Sequence, residues 1–180
     1  MYHPLISIPN GKRLPTFLAL LVATIGLSVV FRLIGPFSPN IVDFELAGSV
    51  ANASGIINQW NALARIQAGF NLGIDYLYMP VYSTTIALAC VWGAMVLKLK
   101  GWRGVGIILA WGLWLAAIFD AIENYALVTM LYGNVADPYP MMARLCATFK
   151  FGLILLGLAY CAVAAIIRIA LLLKPARKAG

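Results

Sequence analysis

The sequence predicts an all-α integral membrane protein: an antiparallel bundle of four transmembrane helices with an amphipathic helix lying in the outer interface. Three observations predict it. First, 63% of the 180 residues are hydrophobic and 11% are charged, with a mean hydropathy of +0.91, whereas soluble domains run at about 45–50% apolar and about 25% charged. Second, four stretches meet the ~20 helical residues needed to cross a hydrocarbon core of about 30 Å. Third, the cations and the acids collect at opposite ends of those stretches. A disordered chain, an ordinary cytosolic enzyme and a nucleic-acid binder with a solvated basic face are all excluded.

The spans fall at 14–34, 74–97, 105–131 and 141–173 of one integral membrane domain covering 1–180. Lys12 and Arg13 precede the first apolar run, as they would in a signal peptide. That run is longer than the ~7–15 residues of a signal core, and it ends at Arg32 with no small-x-small site beside it, so a retained helix is expected. Lys98 to Gly104 reads as a tight hairpin that makes the second and third spans neighbours. The segment from Gly133 to Pro140 reads as a short turn marked by Asn134, Asp137-Pro138 and Pro140. Between Gly35 and Gly73, Ile56, Trp60, Leu63 and Phe70 recur at helical spacing, while Asn58, Gln59, Asn61 and Arg65 fall elsewhere. This predicts the interfacial helix over 52–70, its apolar face against lipid or the bundle.

Orientation follows from the cations. With both termini cytoplasmic, the inner side holds Lys12, Arg13, Lys98, Lys100, Arg103, Arg168, Lys174, Arg177 and Lys178, nine of the thirteen, as the positive-inside bias requires. The net charge of +7 is then a membrane-facing collar, with lipids as the expected partners, other membrane subunits as further candidates, and no nucleic acid. All six acids (Asp43, Glu45, Asp75, Asp120, Glu123 and Asp137) fall on the outer half. Acids contribute little to orientation, so their segregation needs another cause. Gly26, Gly93, Gly112, Ala116, Gly152 and Gly157 stand where close helix packing in lipid would use small residues.

Candidate functional residues are those that do not suit a bland bundle. Asp120 lies 15 residues up the third span from Val105, roughly 23 Å at 1.5 Å per residue, inside the outer leaflet. Glu123 and Asn124 share its face, being three and four residues on. A carboxylate at that depth costs about 2.5–3.5 kcal/mol to insert, so it turns inward and takes a partner. Lys150 and Arg144 on the fourth span are the available cations, and Asp75 at the mouth of the second is a third acidic member. Tyr78 and Tyr82 mark the same end and would line an amphiphile's entry path. Two readings stand side by side: a polar clamp with a purely structural role, or a binding or reaction site.

Two or three such carboxylates have the chemistry to hold a divalent cation or to act as acid and base. No phosphate-cradling glycine loop, nucleophile elbow or other catalytic pattern accompanies them. The only histidine is His3, near the N-terminus, which speaks against bis-His haem, His-rich metal sites and a buried imidazole acid or base. Cys90, Cys146 and Cys161 show no C-x-x-C spacing and read as apolar packing residues. No cofactor and no metal are expected.

The segments Leu72-Gly-Ile-Asp75-Tyr76-Leu-Tyr78 and Phe119-Asp120-Ala-Ile-Glu123-Asn124-Tyr125-Ala-Leu127, with Lys150-Phe151, resemble a group of small, uncharacterised bacterial four-helix membrane proteins. These carry a Leu-Asp-aromatic stretch, an Asp-x-x-Glu-Asn motif and a Lys-Phe pair in successive helices, and the resemblance covers roughly 46–170. It implies that Asp75, Asp120, Glu123, Asn124 and Lys150 belong together and implies no reaction; a bacterial inner membrane is the expected location. The functional expectation is a small non-catalytic accessory subunit or lipid-binding module. The alternative is a membrane-embedded enzyme or carrier acting on a lipid or isoprenoid amphiphile through Asp120 and Glu123.

Overall fold

The computed structural model describes residues 2–34, 37–97 and 101–173. Lys98, Lys100, Lys174, Arg177 and Lys178 of the basic collar, and part of the hairpin between the second and third spans, lie outside the described residues. A 3-10 turn at Pro4–Ser7 leads into helices α1 (Asn10–Leu33), α2 (Ile41–Glu45), α3 (Val50–Gln59), α4 (Ala62–Val96), α5 (Trp102–Leu131) and α6 (Tyr139–Leu173), and no strand occurs among the described residues. Helices α1, α4, α5 and α6 are each long and apolar enough to cross a membrane, as expected of an integral membrane protein.

The predicted segment 52–70 is not one helix. Trp60 takes an extended backbone at φ −78°, ψ 124°, and Asn61 then caps a new helix by accepting from the Ala64 N–H at 2.8 Å. An asparagine cap satisfies one of the orphan donors of a first helical turn, so the chain breaks here and α4 begins at Ala62 instead of about residue 74. The buried face also differs from the expected one. Ala64, Ala68 and Leu72 face the bundle, while Leu63 and Phe70 are exposed. Of the predicted stripe, Ile56 packs partly buried against the core and Trp60 is anchored: its ring meets Phe37 and Phe44 edge to face, and its Nε1 donates to the Pro39 carbonyl at 2.7 Å. Helices α2 and α3 thereby close one end of the bundle over the core formed by Phe44, Ile57, Leu127 and Met130.

The centre of the bundle is α4, α5 and α6. Gly93 of α4 and Gly106 of α5 both admit the Tyr160 ring of α6, and Gly157 of α6 lies against Leu113. Without Cβ atoms these positions let the backbones approach, the expected device where no water drives helices together. Gly26 and Gly152 have no neighbour within 4 Å of a would-be Cβ, so these two of the predicted packing residues stand at no seam. Helix α1 is peripheral, with no buried residue. It is joined to α4 by Thr24 Oγ1 to Thr85 Oγ1 at 2.9 Å, by Ser28 Oγ to Tyr78 OH at 3.2 Å, and by the Phe17–Trp92 and Phe31–Tyr78 edge-to-face pairs. Its Leu14, Leu18, Val22, Ile25, Val29 and Leu33 form an exposed stripe suited to acyl chains.

His3 corrects the expectation that no imidazole is buried. It is fully buried, between Trp111 and Trp114 of α5 at ring-centroid distances of 4.7 and 4.6 Å. Its Nδ1 accepts from the Leu5 N–H at 3.2 Å, and Trp111 Nε1 donates to the Tyr2 carbonyl at 3.2 Å. The two aromatic residues hold the N-terminal turn against the bundle, and nothing in the local sequence around His3 announces them.

Candidate functional site: a buried charge cluster at the end of an apolar groove

The polar members of the site come from four helices, α2, α4, α5 and α6. Asp120, Glu123 and Asn124 fall on one face of α5 because helical neighbours lie three and four residues apart. Lys150 projects from α6, Asp75 and Tyr82 from α4, and Glu45 from the last turn of α2. Lys150 Nζ donates to Asp120 Oδ1 at 2.6 Å and to Glu123 Oε1 at 2.8 Å. Glu45 Oε2 stands 3.8 Å from the same nitrogen. Tyr82 OH donates to the other Asp120 oxygen at 2.9 Å. Asn124 Nδ2 donates to Asp75 Oδ2 at 2.9 Å and to the Leu72 carbonyl at 3.2 Å.

The cluster is dry. Glu123 and Asn124 are fully buried, and Asp120 and Lys150 are 2% and 5% exposed. Isolated charges in such a place would cost several kcal/mol each, and they persist only through mutual pairing and hydrogen bonding. The pairing is incomplete: Glu45 Oε2, Glu123 Oε2 and Asn124 Oδ1 are buried without hydrogen-bond partners. Three carboxyl groups, those of Glu45, Asp120 and Glu123, lie within 4 Å of the Lys150 ammonium, and Asp75 joins the cluster through Asn124. Burial pushes the Glu45 carboxyl above its ordinary range; Lys150 pulls it back and the nearby Asp120 pushes it further up.

The cluster terminates a groove of about 570 Å³, within the usual ~300–1,000 Å³ of small-molecule sites. Helix α4 forms its floor, with α1 and α6 lining its sides. Glu45, Asp75, Asp120 and Lys150 lie at the end closed by α2, and Leu21, Ile86 and Leu158 line the apolar remainder. From Lys150 to Leu158 along α6 is roughly 12 Å at 1.5 Å per residue. Phe31 and Tyr78 meet at 5.2 Å beside the polar end.

Of the residues singled out in the sequence, the structure brings Asp75, Tyr82, Asp120, Glu123, Asn124 and Lys150 into one site. Tyr78 lines the groove but directs its hydroxyl to Ser28 on α1. Arg144 does not join. Its side chain is exposed and lies over Gly48, because Arg144 precedes Lys150 by six residues and so occupies a different face of α6. Glu45 was missed as a site member. Its only local signal is the capping box that Asn40 and Asp43 build ahead of it, which announces a short helix but not the direction of its last side chain. Among the described residues no group of three or more metal-ligating side chains is arranged to hold a metal ion. No protein-family profile, no characterised protein and no solved structure matches the chain.

Proposed function

We propose that this protein is a lipid-binding membrane protein that seats one amphiphile, tail in the groove and head against the Lys150 cluster. The observation that carries the reading is the continuity of an apolar channel with a closed, charged end. A merely structural clamp needs the ion pairs but no cavity beside them. The acids are held by hydrogen bonds to Lys150, Tyr82 and Asn124, an arrangement suited to holding a headgroup. This favours the binding module over an enzyme or carrier using Asp120 and Glu123. The positive-inside distribution of the cations supports cytoplasmic termini, so that the groove's polar end lies toward the outer face.

The test is native mass spectrometry of the protein released from its membrane. The expected result is one retained amphiphile in the wild type and none in Leu158→Trp, in which the indole fills the groove. Retained lipid in the bulk proportions of the membrane, equal in both proteins, would contradict the reading. So would a groove filled by a second copy or by a partner's helix.

A further inference from the structure

We infer that the closed end of the groove recognises a primary ammonium group, so that the ligand is a cationic amphiphile. The inference rests on the groove being an amphiphile site and adds the chemistry of the head. Three unpartnered polar atoms are buried in the cluster, Glu45 Oε2, Glu123 Oε2 and Asn124 Oδ1; the amide oxygen is an acceptor, and so are the carboxyl oxygens when ionised. The orientation of the Asn124 amide is fixed by its surroundings. Its Nδ2 faces the Leu72 carbonyl and Asp75 Oδ2, both acceptors, so the reversed amide would set oxygen against oxygen. Of these residues Glu45 and Asn124 line the groove, and a head that satisfies their oxygens must bring donors.

Lys150 does not meet that demand. Two of its three protons go to Asp120 and Glu123, and 3.8 Å to Glu45 is too long for a hydrogen bond. The charge balance points the same way. One ammonium stands among the carboxyl groups of Glu45, Asp120 and Glu123, and in a buried site ionised carboxyls in excess of the cation repel strongly unless one takes up a proton. A phosphate or sulfate head would add to the excess. A polyol would supply donors but no charge. An alkylammonium supplies three donors and a positive charge, leaving its chain to run past Ile86 and Leu158.

The test compares three probes with one tail, tetradecylammonium, tetradecyl maltoside and tetradecyl phosphate, on the full chain in nanodiscs of zwitterionic lipid, read by native mass spectrometry. The wild type is expected to hold the ammonium probe about tenfold more tightly than either other, a difference of about 1.4 kcal/mol. Glu45→Gln is expected to lose that preference while still binding the maltoside. Asp75→Asn gives the same readout at the groove's polar end should Glu45→Gln fold poorly. Equal affinity for all three probes would overturn the ammonium inference and leave the groove reading standing. No binding of any probe would overturn both. An ammonium preference that survives Leu158→Trp, Glu45→Gln and Asp75→Asn would reduce it to partition into the bilayer and overturn it.

Discussion

The Tyr82 hydroxyl donates to Asp120 Oδ2 at 2.9 Å, so that the carboxylate is gripped by α4 on one oxygen and by Lys150 of α6 on the other. One side chain of α5 thus ties three helices together inside the bundle. Removing the phenol oxygen leaves Asp120 Oδ2 buried without a donor. Hydrogen bonds to charged groups contribute about 1.5–3 kcal/mol. Tyr82→Phe is therefore expected to lower unfolding free energy in detergent by about that amount. Tyr78→Phe, which loses only a longer, half-buried contact to Ser28, is the control. Equal effects from the two substitutions would show that the Asp120 bond has no special weight.

Packing at the other end of the bundle turns on glycine. A Cβ on Gly106 would lie 2.7 Å from Tyr160 Cζ and 2.9 Å from Ala94 Cβ. The Tyr160 ring has little room to yield, since it stacks on Trp102 at 4.6 Å and donates to its carbonyl at 3.1 Å. Overpacking of this kind costs about 1–3 kcal/mol, so Gly106→Ala is expected to lower the melting temperature. Gly26→Ala meets nothing within 4 Å and is expected to be neutral or slightly stabilising, as alanine favours the helix. Thermal melts of the two variants side by side check the contrast.

Much of this architecture was legible in the sequence, because span length and charge segregation are direct consequences of solvation in a bilayer. The grouping of Asp120, Glu123, Asn124 and Lys150 was legible too. An embedded carboxylate must find a cation, and only the fourth span offers one at comparable depth. What escaped was set by tertiary direction. Arg144 and Lys150 are equally cationic, and only the helical phase of α6 against α5 chooses between them. Glu45 reaches the site from a five-residue helix too short to carry a periodicity. The break at Trp60 was hidden because Asn61 looked like the polar face of a continuing helix when it is the cap of the next one.

His3 makes the N-terminal turn sensitive to acid. Burial pushes its pKa below the ordinary 6.5, partly opposed by the Ala110 carbonyl. The unfolded chain therefore takes up a proton that the folded turn resists. The contribution of His3 to stability is then fully present above about pH 6.5 and is lost as pH falls below it. Trp111 and Trp114 flank the imidazole, so tryptophan emission reports the release. Acidification from pH 8 to about pH 5 is expected to alter emission in the wild type and to leave His3→Phe unchanged. Identical titrations of the two proteins would place the acid response elsewhere.

Lys150 and Asp120 form a desolvated pair within the bundle, and a double-mutant cycle measures their pairing. Unfolding free energies of the wild type, Asp120→Asn, Lys150→Met and the double variant give the coupling between the two side chains. Close, buried charge pairs couple by about 1.5 kcal/mol or more, whereas exposed pairs give about 0.2–1 kcal/mol. The coupling is expected to exceed about 1.5 kcal/mol, with the double variant more stable than Lys150→Met alone. A coupling within about 0.5 kcal/mol of zero would mean that the pair is wet or apart, and would contradict a desolvated pairing.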